Sequence, residues 1–277
     1  MQSPRPPNDP PWTSGRVSER AWCQLCPNPS PMTLDGTNTW VLTEPDAHVS
    51  IVVDPGPLDE AHLQAVLQYV ESIGSHVALT LLTHHHADHA ESAARFAELS
   101  DAPVRATGSG HDDLANGDWV SVGGLDVLVV STPGHTADST SFLIAAEQRL
   151  LTGDMILGRG STVVAHPDGE LAAYLESLER LATLTGSGRV TSLAPGHGPA
   201  VSDAAAMVAT YQQHRARRLD EVRDVVAKLG DHTPSELSDA VLERVYADVP
   251  RDVWPAARLS VLAQLDYLGV RTTERDD

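Results

Sequence analysis

Apolar positions along the chain follow two rhythms. Short runs at Trp40–Thr43, Val49–Val53, Val77–Leu82, Ala102–Ala106, Trp119–Val122, Asp126–Val130, Gln148–Thr152 and Arg189–Leu193 have the length of strands and end in turn residues. From about Leu58 to Ile73, Leu63, Val66, Leu67 and Val70 recur at helical spacing. Ala90 to Leu99 likewise sets Ala90, Ala93, Ala94 and Ala97 against Glu91, Arg95 and Glu98. Beyond residue 202 only the helical rhythm continues. Ser202-Asp203 caps a helix reaching about Leu229, and Thr233-Pro-Ser-Glu236 is a capping box for a second helix ending near Val249. A third runs from Asp252 to Leu268 on Leu259, Leu262, Ala263 and Leu265, before a short terminal strand. The pattern divides the chain into a Pro-rich, disordered leader at 1–14, a mixed region at 15–202 and a helical region at 203–277.

The turns that end the strands carry the chemistry. Thr83-His84-His85-His86-Ala87-Asp88-His89 lies between a strand and a helix, so one tight turn delivers several imidazoles and a carboxylate to a small volume. His84 and His86, two apart on extended chain, project the same way, whereas alternation turns His85 aside, outside the site. A polar loop rich in histidine is the plain alternative. It does not account for four histidines in six positions of a chain with 13 in 277 residues. Three further strands end in Gly-containing turns that present His135, Asp154 and His197. Glycine lets the backbone bend sharply and approach whatever the side chain binds. Nitrogen and oxygen donors of this kind suit borderline dications, zinc above all, with manganese and iron compatible. Seven such ligands exceed one tetrahedral site and imply two metal ions. Asp54 closes its own strand, either as a carboxylate that orients a ligand imidazole or as a turn carboxylate serving Gly56.

Composition narrows the partners. A net charge of −19, with a single lysine among 19 basic residues, repels polyanions. Residues 210–277 hold 10 basic and 13 acidic side chains, so the helical region has no basic surplus. No apolar run is long enough to span a membrane. The start of the chain lacks the apolar stretch of a signal peptide, which points to the cytoplasm. Cys23 and Cys26 read as small apolar residues of an early strand, free thiols in a reducing cell, with a redox pair as the alternative.

Together, His84-x-His86-x-Asp88-His89, His135, Asp154 and His197 resemble the metallo-β-lactamase superfamily. Thr33-Leu-Asp-Gly-Thr-Asn-Thr39, Thr132-Pro-Gly-His-Thr136, Thr152-Gly-Asp-Met-Ile-Leu-Gly158 and Ala194-Pro-Gly-His-Gly-Pro199 bring the resemblance to its β-lactamase-like protein 2 group, over roughly residues 30–270. That group contains an endoribonuclease and relatives acting on thioesters. The resemblance implies an α/β fold, a four-layer αβ/βα sandwich, followed by a winged-helix-like appendage. It assigns His84, His86 and His135 to one metal and Asp88, His89 and His197 to the other, with Asp154 bridging. Asp88 would also be the catalytic proton carrier. Arg215 and Arg218 would clamp a substrate anion, against the alternative of a solvated helix face.

The expected function is hydrolysis of a small anionic ester or thioester, which the acidic chain accommodates readily. Cleavage of single-stranded RNA is the alternative. An iron oxygenase would leave half of the ligands unexplained, and a vestigial site would not retain all seven.

Overall fold

The computed structural model describes residues 10–108, 110, 112–229 and 234–270. Alternation explains the first sheet, ordered β1 (Gly15–Arg16), β2 (Ala21–Leu25), β3 (Asn38–Leu42), β4 (Val49–Val53), β5 (His76–Leu81), β6 (Val104–Ala106) and β7 (Asp112–Asp113). Trp40, Leu42, Ile51 and Val53 point to its inner face, while Val41 and Val52 point outward under α1 (Glu60–Ser72) and α3 (Ala93–Ser100). With both faces covered, the strands read as unbroken apolar runs instead of alternating ones. The second sheet runs β12 (Ser192–Pro195), β11 (Arg149–Gly153), β10 (Thr140–Ile144), β9 (Leu125–Ser131) and β8 (Trp119–Val122). Its Val127, Val129, Phe142 and Ile144 meet the first sheet, and Leu128, Val130 and Leu143 face α4 (Leu171–Gly186). Two sheets lie between helical layers, the sandwich that the sequence motifs imply. Each buried Val, Leu or Phe contributes about 1.5–3 kcal/mol to this packing.

The helical region consists of α5 (Ala204–Leu229), α6 (Pro234–Val245) and α7 (Trp254–Tyr267). The first half of α5 packs on α4 through Ala204, Val208 and Tyr211. Its second half joins Val241, Leu242, Val261 and Leu265 in a separate core. No helix of the described residues is long and apolar enough to cross a membrane.

Several elements differ from the sequence reading. The helix expected over Ala90–Leu99 is two helices, α2 (Ala87–Ala90) and α3, because Ser92 turns back to bond the Gly56 carbonyl through both its hydroxyl (2.8 Å) and its N–H (3.1 Å). The strand expected at Arg189–Leu193 begins only at Ser192, since the Arg189 and Val190 amides both bond the carbonyl of Leu184 at the end of α4. Strand β10 and helix α4 are additional to the elements read from the pattern. Trp12, assigned above to a disordered leader, packs against the inter-sheet core and donates its indole N–H to Asn38 Oδ1 at 2.8 Å. Leader residues 1–9, Thr233 of the capping box and the terminal strand after residue 270 lie outside the described residues. Cys23 and Cys26 are buried free thiols, each pushed up to about 12 by burial.

Candidate metal centre

The structure brings all seven sequence-derived ligand candidates to the edge where strands of both sheets end. His84 and His86 stand on the turn after β5, and Asp88 and His89 on α2; His135, Asp154 and His197 follow β9, β11 and β12. The His86 carbonyl accepts from the amides of His89 and Ala90, both at 2.9 Å, so the helix begins as the histidine turn ends. His85 points away, half exposed, with Nδ1 3.0 Å from Asp138. Two glycines make the convergence possible. Gly134, at φ +135°, lies where a Cβ would come within 2.3 Å of the Tyr174 backbone, and at Gly196 a Cβ would stand 2.6 Å from His89 Cε1.

His84 Nε2, His86 Nδ1 and His135 Nε2 form one group, with separations of 3.1 Å and 3.0 Å about His86. Asp88, His89 and His197 form a second, in which His197 Nε2 is 3.2 Å from Asp88 Oδ2 and 3.3 Å from His89 Nε2. Asp154 lies between them, with Oδ2 3.7 Å from His135 Nε2 and 3.4 Å from His197 Nε2. Its Oδ1 is buried without a hydrogen-bond partner. An orphaned buried carboxylate oxygen among converging imidazoles fits a cation better than it fits any protein donor.

The outer ring nitrogens explain why the inner ones can act as ligands. His135 Nδ1–H donates to the Val163 carbonyl (2.6 Å) and His197 Nδ1–H to that of Gly36 (3.2 Å). His89 Nδ1–H donates to Asp54 Oδ2 at 2.9 Å. Thr83 gives its hydroxyl proton to the same carboxylate at 2.7 Å, so its oxygen accepts from His84 Nδ1–H at 3.0 Å. Two carbonyls, one hydroxyl and one carboxylate thus hold the outer nitrogens, and four Nε2 atoms face inward. Asp54, at φ +53°, bonds the His89 ring through one oxygen and the Thr83 amide through the other at 2.7 Å. No bond of its carboxylate to Gly56 is needed to account for it.

Electrostatics divide the site. Burial, then the other imidazoles, lowers His84, and takes His86 down to about 4. Burial also lowers His197, but Asp154 and Asp88 outweigh it and lift the ring to about 9. Burial would raise Asp88, yet His89 and His197 hold it down to about 2. The carboxylates therefore stay ionised, as a cation site requires.

The two arginines part company. Arg215 is 5 % exposed, donates from Nη2 to the Thr162 carbonyl (2.6 Å) and lies over the Tyr174 ring. It lines a cavity with His135 and Asp154. Arg218 instead stacks on Tyr246 and bonds Glu221 at 2.9 Å and the Val245 carbonyl, facing a different groove. It is neither a solvated residue nor part of a clamp at the metal centre. Thr83 and Asn38 were missed as supporting residues. The adjacency of Thr83 to His84 was a usable signal, whereas Asn38 reaches the His197 turn across the fold.

Residues 32–192 match the metallo-beta-lactamase superfamily and residues 238–269 the beta-lactamase associated winged helix domain. The chain is 33% identical over 247 residues to the Beta-lactamase-like protein 2 homolog of Caenorhabditis elegans, covering 85% of this chain and 78% of that one. It is 30% identical over 250 residues to an atrochrysone carboxyl ACP thioesterase of Aspergillus chevalieri, covering 86% and 77%. A metallo-beta-lactamase family protein of Thermus thermophilus superposes with a TM-score of 0.74 at 22% identity, over 92% of this chain and 94% of that one. A beta-lactamase domain protein of Burkholderia ambifaria gives the same TM-score at 23% identity, over 95% and 91%.

Proposed function

Because the chain belongs to the metallo-β-lactamase superfamily, we propose that it is a hydrolase with two divalent metal ions, zinc foremost, acting on a compact anionic ester or thioester. The convergence of four Nε2 atoms with His86 Nδ1 and two carboxylates carries this reading. His84, His86 and His135 would hold one ion; Asp88, His89 and His197 would hold the second, with Asp154 shared. When bound, such a pair supplies Lewis acidity and a nucleophilic water at neutral pH.

The chain supplies the rest. Asp88 is the more exposed of the two ligand carboxylates, at 31 % against 11 % for Asp154, so its Oδ2 would be the one to accept a proton from the attacking water and return it to the leaving group. Asp54 and Thr83 keep His89 and His84 in one tautomer and orientation throughout. Val253, Ala256 and Ala257 of the helical region wall the cavity beside His135 and Asp154, which favours a small substrate. The thioesterase relative agrees with that choice of bond. Cleavage of single-stranded RNA would draw on basic surface that is missing here. Arg218 is engaged internally, and Arg217 pairs with Glu221 at 3.9 Å.

The test is elemental analysis of protein purified without added metal, followed by thioester, lactone and single-stranded RNA substrates. Two ions per chain with turnover of a thioester or lactone is the expected result. Tight RNA binding that persists at high salt, with no ester turnover, would establish the endoribonuclease reading instead.

A further inference from the structure

A guanidinium cannot shed its charge, so its burial demands an anion or a dense set of acceptors. Arg215 has neither. Among the described residues it forms no ion pair with a carboxylate, and its protein contacts are the Thr162 carbonyl and the face of Tyr174. Its Nε is buried without a partner, as is Nδ1 of the adjacent His214. Both residues line the same small cavity, of about 50 Å³, as His135 and Asp154. The remaining wall is largely apolar, from Leu157, Val253, Ala256 and Ala257. The cavity therefore has a reactive end, an apolar middle and an unpaired cation at its side.

Resting on the ester or thioester reading above, we propose that this cavity receives an acyl group bearing its own carboxylate, which pairs with Arg215. The helical region then selects the acyl chain. A small cavity walled by Ala256, Ala257 and Ser260 of α7 leaves the larger leaving group outside it. The charge count favours a carboxylate over a phosphate. Burial and Arg215 push His214 down to about 3, so the wall away from Asp154 and the other ligand candidates offers one positive charge. A monoanion neutralises it, and a dianion would leave a charge buried and unpaired.

The experiment compares a glutaryl thioester with its terminal-amide analogue, alike in size but uncharged at the distal end. Wild-type protein should prefer the carboxylate about tenfold or more in kcat/KM, chiefly through KM, as expected for a charge-assisted pair. Arg215→Gln should erase that preference while metal content stays unchanged. Should Arg215→Gln fail to fold, Ala256→Phe fills the cavity without touching the cation and should equally abolish acceptance of the carboxylate substrate. Hydrolysis of both thioesters at equal efficiency, or a preference that survives Arg215→Gln, overturns the proposal and leaves the hydrolase reading standing. If metal-loaded protein hydrolyses neither, that reading fails, and calorimetric titration with hexanoate and hexanamide decides the anion site alone. Hexanoate binding that exceeds hexanamide and weakens about tenfold in Arg215→Gln supports the site; equal binding by wild type and variant refutes it.

Discussion

Asn38 Nδ2 donates to the carbonyls of Pro195 and Gly198, at 2.8 and 2.9 Å, so one side chain spans the turn that presents His197. Its main-chain N–H reaches Gly196 in the same turn at 2.8 Å. Asn38→Leu preserves volume but strands the buried Gly198 carbonyl, at about 1–3 kcal/mol, while the Pro195 carbonyl keeps the Trp40 indole N–H at 3.1 Å. Denaturant unfolding should show that loss. A chelator-competition titration should show one of two metals held about 10–100-fold more weakly, the usual cost of losing an outer support. Unchanged affinity for both ions would remove Asn38 from the site.

Asp88→Asn tests the proton carrier. The amide keeps the shape of the side chain but is a poor ligand and cannot take a proton. Turnover should fall by about 10²–10⁴ with the circular dichroism of the fold intact. Retention of more than about a tenth of the activity would contradict the role given to Asp88.

Gly196→Ala adds one methyl group where a Cβ would lie 2.6 Å from His89 Cε1 and 2.7 Å from Asp154 Oδ1. Neither neighbour can yield without leaving its place in the ligand set. The variant should fold with a loss of about 1–3 kcal/mol and bind fewer than two metals. Metal content equal to that of wild type would show that the site is looser than these distances imply.

His62 should impose a pH dependence on stability that is independent of the ligands. Its Nε2–H donates to Thr39 Oγ1 at 2.8 Å, and its Nδ1 is buried with no partner. Burial lowers it from 6.5 to about 4. The folded state excludes a proton that the unfolded chain accepts, so its contribution is complete above pH 6.5 and is lost as pH falls toward about 4. The loss is at most about 3 kcal/mol. In His62→Gln, which keeps a donor toward Thr39 and does not titrate, the stability slope over that interval should flatten. An unchanged slope would assign the acid sensitivity elsewhere.

The ligand candidates could be read in the sequence because each is set by a few consecutive residues. A strand, a Gly-containing turn and one polar side chain form a local unit, and backbone geometry alone sends His84 and His86 one way and His85 another. The doubly covered sheets also left their mark, as the apolar runs Ile51–Val53 and Val127–Val130. Where a unit docks was not local, and there the sequence was silent or misleading. Trp12 looks like part of a Pro-rich leader until its indole finds Asn38. Arg215 and Arg218, three apart on one helix, look equivalent; α5 spans two cores, and the neighbours it meets at each position come from distant segments. Tyr174 and Thr162 take Arg215 into the metal-side cavity, while Tyr246 and Val245 draw Arg218 into the helical region. Spacing fixes the direction in which a side chain leaves its own element, and only the packing of remote elements decides what lies in that direction.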